Sequence, residues 1–157
     1  MFNPRDSVHG GFFIVKKNDY IMKEYFQNIS TQLGLDFSYA PNSYQNLNNF
    51  DTDNPISKFM LFPMRTRRGI ASNSSYESFK TYSSSFMVLE KDVFDNSYEE
   101  MFDTPITNAY AIISAIEAYF ECDNSKVIQN WDIEEVYNLF DMNATGLLVT
   151  FTIQDYD

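Results

Sequence analysis

Histidine and cysteine are nearly missing from this chain, each occurring once, as His9 and Cys122. A single histidine excludes zinc triads, paired-histidine metal sites and relays built on two imidazoles. A single cysteine excludes an internal disulfide and a multi-cysteine metal cage, which suits synthesis in a reducing cytoplasm. The nucleophilic chemistry left open is a Cys–His pair, which would need Cys122, near the end of a helix, to meet His9 near the amino terminus with a third group orienting the imidazole. The plainer account of Cys122 is an inert, partly buried thiol. Glycine is scarce as well, with five residues, and neither a Walker loop nor a dinucleotide fingerprint occurs, so no backbone cradle for nucleotide phosphates is encoded. Basic charge is the minority sign: 11 Lys and Arg stand against 22 Asp and Glu, for a net charge of −11. That balance repels nucleic acid and anionic membranes and favours a basic or neutral partner, although acidity also serves plain solubility. The opening residues Met1 to Asp6 lack the basic start and apolar run of a signal peptide. No apolar stretch approaches the roughly 20 residues that cross a bilayer. The expectation is an unsecreted protein with no catalytic site, no cofactor, no metal and no membrane partner.

Aromatic residues are abundant, with 15 Phe and 11 Tyr among 157 residues. That is apolar surface enough for one packed core, so one domain is expected over 1–157. Residues 7–15 carry Gly10-Gly11 and the run Phe12-Phe13-Ile14-Val15, either a strand or an arm that docks on a neighbour. Asn18-Asp19 supplies a helix cap, and Ile21, Met22, Tyr25, Phe26, Ile29 and Leu33 follow at the spacing of one buried helical face, stopped by Gly34. Leu35, Phe37 and Tyr39 alternate with polar residues as a strand does. Residues 41–55 are rich in Asn, Asp and Ser and read as a long surface loop. Lys58 to Met64 predicts an inner strand with Pro63 at its end or on an edge. Arg65 to Gly69 predicts a turn opening a hairpin loop over 65–78, and Phe79 to Leu89 the returning strand.

A second helix is expected to start at Thr104-Pro105 or slightly earlier, carrying Ala109, Ile112, Ile113, Ile116, Tyr119 and Phe120 as its apolar stripe and ending at Asp123-Asn124-Ser125. Residues 127–137 favour a strand over a third helix. A Thr145-Gly146 turn then delivers the chain into a last strand in which Leu147, Val149, Phe151 and Ile153 alternate with their neighbours. The order helix, strand, strand, strand, helix, strand, strand predicts an α+β fold, a mainly antiparallel sheet with two principal helices packed beside it.

Carboxylates at Glu99-Glu100, Asp103, Asp132, Glu134-Glu135 and Asp141 are numerous enough for chance adjacency, and a solvated acidic face accounts for them. The segment Asp141 to Gly146 lacks the alternating oxygen ligands and distal Glu of a calcium loop. Arg65, Arg67 and Arg68 are the densest positive charge in the chain, a contact for carboxylates on a neighbour or for phosphate, or an ordinary solvated tip.

Taken together, the helix ending Gln32-Leu33-Gly34-Leu35-Asp36-Phe37, the run Phe59 to Pro63, the segment Phe86-Met87-Val88-Leu89-Glu90-Lys91-Asp92, the second helix, and Phe140-Asp141 leading to Thr145-Gly146 and a terminal strand resemble a group of phage proteins. These are short tail-terminator, tail-completion and head–tail connector ring proteins of tailed phages infecting Bacteroidetes, including crAss-like phages. The resemblance spans most of residues 18–154 and implies a tail-terminator-like subunit without catalytic residues. Such a subunit packs against copies of itself in a sixfold or twelvefold homo-oligomeric ring, beside the portal and adjacent connector and tail proteins. Genomic DNA passes through the channel without specific recognition. The setting implied is the virion, at the head–tail junction or tail, assembled in host cytoplasm. The segment 1–17, with Phe12 and Phe13, and the loop 41–55, with Tyr44 and Phe50, depart from that pattern as candidate docking arms. With Arg65, Arg67 and Arg68 they form the expected subunit interface. The alternative from another class is an acidic monomeric binding module, immunity or antirestriction-like, that neutralises a basic partner.

Overall fold

The structure, a computed structural model, describes residues 20–39, 57–70, 78–91, 97–139 and 144–156. The expected arm 1–17 and loop 41–55, and with them Phe12, Phe13, Tyr44 and Phe50, lie outside the described residues, as does His9. Helix α1 (Tyr20–Gln32) leads through Gly34, at φ +70°, into strand β1 (Asp36–Tyr39). A residue without Cβ takes that left-handed conformation freely, which is why the helix stops there. Strands β2 (Lys58–Leu61), β3 (Arg65–Ile70) and β4 (Ser78–Lys91) follow. A short helix α2 (Tyr98–Met101), a π-helical turn (Phe102–Ile106) and helix α3 (Thr107–Glu121) lead to the long strands β5 (Lys126–Leu139) and β6 (Ala144–Asp155).

The six strands form one sheet in the order β1-β2-β4-β6-β5, with β3 also paired to β4. Among the described strands only β1 and β2 run parallel, so the fold is α+β with a mostly antiparallel sheet and two principal helices, as expected. Both helices lie on one face. Met22, Phe26 and Ile29 of α1 and Ala109, Ile113, Ile116 and Phe120 of α3 meet Phe59, Leu61, Tyr82, Phe86, Val88, Leu147, Val149, Phe151 and Ile153 of the sheet. Phe26 sits at the centre, its ring centroid 5.8 Å from that of Phe59, 5.6 Å from Phe86, 5.6 Å from Phe120 and 5.2 Å from Phe151. The opposite face carries a small cluster of Met60, Met87, Leu89 and Ala144, flanked by Phe62, Val136 and Leu148.

Three expectations are corrected. Arg65 to Gly69 is not a turn, because Arg65–Ile70 pairs with Ser78–Ser83 as strand β3. Residues 62–64 are where the strand breaks: between the pairs Leu61↔Phe86 and Arg65↔Ser83, three residues face the two serines Ser84 and Ser85. This bulge accommodates Pro63, which has no N–H to give to a ladder. The one Ser84 hydroxyl proton is shared between the carbonyls of Phe62 at 2.9 Å and Pro63 at 3.1 Å, two groups at the bulge.

The second correction concerns the start of the second helix. Helical structure begins at Tyr98, where Ser97 and Glu100 form a reciprocal capping box, Ser97 N donating to Glu100 Oε2 at 2.7 Å and Glu100 N to Ser97 Oγ at 3.4 Å. Pro105 then lies inside the π-helical turn, a wider turn that absorbs the missing proline donor. The third is that Thr145 and Gly146 belong to β6 and make no turn, pairing with Glu90 and Leu89. Gly146 is required there because a Cβ would collide with the main-chain carbonyl of Val88.

Candidate functional site

The bulge at residues 62–64 determines which way the arginines face. Side chains alternate along a strand, so an extra residue reverses the phase. Phe59 and Leu61 point to the helices, whereas Arg65 and Arg67 pair with Ser83 and Thr81 and share their opposite, outer face. Arg68 pairs with Lys80 and lies on the helix side. The expected cluster of three is therefore split into an outer pair, Arg65 and Arg67, and a separate Arg68 that meets a like charge across the strand. All three are exposed, and among the described residues none has an ion-pair partner.

Arg65 and Arg67 stand beside an open groove of about 860 Å³ on this outer face, floored by Thr81, Ser83, Ser85, Thr150 and Thr152. The hydroxyls are tied across the sheet, Ser83 Oγ to Thr152 Oγ1 at 3.2 Å and Ser85 Oγ to Thr150 Oγ1 at 3.1 Å. Among the described residues no His, Lys or carboxylate lines the groove, so none of them is a base placed to activate its serines as nucleophiles. Gly69 keeps one end low, since a Cβ there would strike the ring of Phe79.

The far edge of the sheet has the opposite charge. Along β5, Asp132 pairs with Thr150 and Glu134 with Leu148, which puts both carboxylates on the outer face, while Ile133 and Glu135 lie on the helix side opposite Val149 and Leu147. Asp132 and Glu134 are exposed, and Asp132 Oδ2 accepts from Asn130 Nδ2 at 2.7 Å. Among the described residues no strand pairs with the outer edge of β3 or of β5.

One buried ionic group was not anticipated. Lys126 and Asp155 are 6% and 0% exposed and paired at 3.6 Å, and Lys126 Nζ also reaches Asp123 at 3.3 Å and lies 5.1 Å from the ring centroid of Tyr25. Burial, aided by the Asp123 carboxylate, pushes the Tyr25 phenol up to about 12, and its hydroxyl donates to the carbonyl of Tyr119 at 3.2 Å. Hydrogen bonds from Ser125, with Lys126 adding to them, hold Asp123 below the usual carboxylate range. With its ammonium shared between two carboxylates, Lys126 ties the end of α3 to both long strands and to α1. Cys122 is exposed, which corrects the partly buried thiol expected from sequence. Among the described residues no group of three or more His, Cys, Asp and Glu side chains converges on a metal position, and no helix is long and apolar enough to cross a membrane.

Compared with protein families and with curated proteins, the chain matches none.

Proposed function

We propose that this chain is a non-enzymatic virion structural protein, a subunit of a head–tail connector or tail-terminator ring around the DNA channel of a tailed phage, with a tail-terminator-like fold. The observation that carries the reading is the unlike charge of the two sheet edges. Both helices cover one face, while the other carries a buried apolar cluster of Met60, Met87 and Leu89 beside an open Ser/Thr groove flanked by arginines. Two edges of unlike charge border it, Arg65 and Arg67 on one and Asp132 and Glu134 on the other. A surface of that kind suits repeated contact with copies of itself, because a heterologous contact repeated by rotation closes a ring. The absence of catalysis is part of the proposal and is supported by a groove whose hydroxyls bond one another, with no base beside them among the described residues. The acidic balance, net −11, suits a channel that passes DNA without holding it.

The reading is tested on purified phage particles. The chain should be found in them by mass spectrometry, with cyclically symmetric density at the head–tail junction or tail into which the sheet and two helices fit. Absence from the particles, or presence without symmetric density there, ends the ring reading. A stable 1:1 complex with a basic protein would instead support an acidic neutralising module.

A further inference from the structure

We propose that two copies of this chain join by strand addition, the β3 edge of one copy pairing antiparallel with the β5 edge of the next so that the sheet runs on from subunit to subunit. The inference rests on the ring reading for its biological setting, but its geometry comes from the two edges alone. Both edges are unpaired among the described residues, and β5 is 14 residues long. Exposed backbone of that length is a template for another strand.

Within one copy, β3 is antiparallel to β4, β4 to β6 and β6 to β5, so β3 and β5 run in opposite directions. A neighbour set beside it with the same face outward therefore offers its β5 antiparallel to β3. In such a pair, residues directly opposite share a face. Arg65 and Arg67 lie two residues apart on the outer face, as do Asp132 and Glu134. One register satisfies both: Arg65 opposite Glu134 and Arg67 opposite Asp132, with Thr66 facing Ile133 between them. Opposite residues bring their Cβ atoms to about 5 Å, within reach of an Arg–carboxylate fork. The two edges differ, so the contact is heterologous and repeats in one sense around an axis. It also gives partners to two arginines that have none among the described residues. An edge lined with charge resists indiscriminate pairing and accepts the complementary edge.

Two sets of variants of the full chain test the pairing. In a Cys122→Ser background, Arg67→Cys combined with Asp132→Cys should give, on oxidation of concentrated protein, a ladder of covalent multimers that neither single cysteine variant gives. Reversing one edge with Arg65→Glu and Arg67→Glu, or the other with Asp132→Arg and Glu134→Arg, should weaken self-association by roughly 100-fold. Mixing the two reversed chains should restore it, because each then meets a complementary edge. The inference is overturned if the double-cysteine chain gives no ladder, if the reversed chains associate like the native one, or if they stay apart when mixed. A ladder without ring density in particles would support the edge pairing while removing the ring, and ring density without a ladder would do the reverse.

Discussion

Lys126 and Asp155 face each other across the β5·β6 ladder and form an ion pair at 3.6 Å with both side chains buried. Removing one partner of such a pair costs more than the pair contributes, because a charge is left without compensation in a low-dielectric setting. Lys126→Met is expected to destabilise the fold by about 3–5 kcal/mol, read as a lower urea midpoint. Adding Asp155→Leu to that chain should recover much of the loss, since an apolar pair of similar volume replaces the ionic one.

Tyr25 gives the fold an alkaline limit. Its folded pKa of about 12 lies above the ordinary value of 10.0, so the protonated phenol is the form that the folded state favours. The resulting stability is complete below pH 10 and is lost as pH rises from 10 to 12. Ultraviolet titration of the native protein should contain a tyrosine ionisation near pH 12 that is missing from Tyr25→Phe. The same variant loses the hydrogen bond to Tyr119, at a cost of about 0.5–1.5 kcal/mol.

The aromatic centre is expected to be the most sensitive apolar position. Phe26 is fully buried and meets rings from three strands and from α3. Phe26→Ala should cost about 3–5 kcal/mol in chemical denaturation. Ile21, on the same helix and 37% exposed, should tolerate alanine within about 0.5 kcal/mol.

Two strand glycines should respond differently to an added methyl group. At Gly146 the obstacle is the carbonyl of Val88, which is fixed in the β4·β6 ladder, so Gly146→Ala is expected to cost about 1–3 kcal/mol or more. At Gly69 the obstacle is the Phe79 side chain, which can turn aside, and the measured loss should be smaller.

The elements with strong periodicity were legible in the sequence. The stripe Ala109, Ile113, Ile116 and Phe120 is the buried face of α3, and Leu147, Val149, Phe151 and Ile153 form the core side of β6. What could not be read was set by pairing. Arg65 to Gly69 has the polar, glycine-containing composition of a turn, yet its backbone is claimed by β4. The bulge around Pro63 then reverses the alternation, so counting from Phe59 and Leu61 would have turned Arg65 and Arg67 into the core. The capping box was a legible signal that went unused, Ser97 followed three residues later by Glu100. The β5 carboxylates were noted only as charge, because their significance depends on β5 lying at a sheet edge opposite β3, and no local pattern encodes strand order.

The measurement that bears most directly on the ring account is the stoichiometry of the full chain assembled with the portal and neighbouring connector proteins, read by native mass spectrometry. The account predicts six or twelve copies per assembly in one cyclic layer. A complex holding a single copy against one basic partner, or a portal assembly that takes up none of this chain, would contradict it.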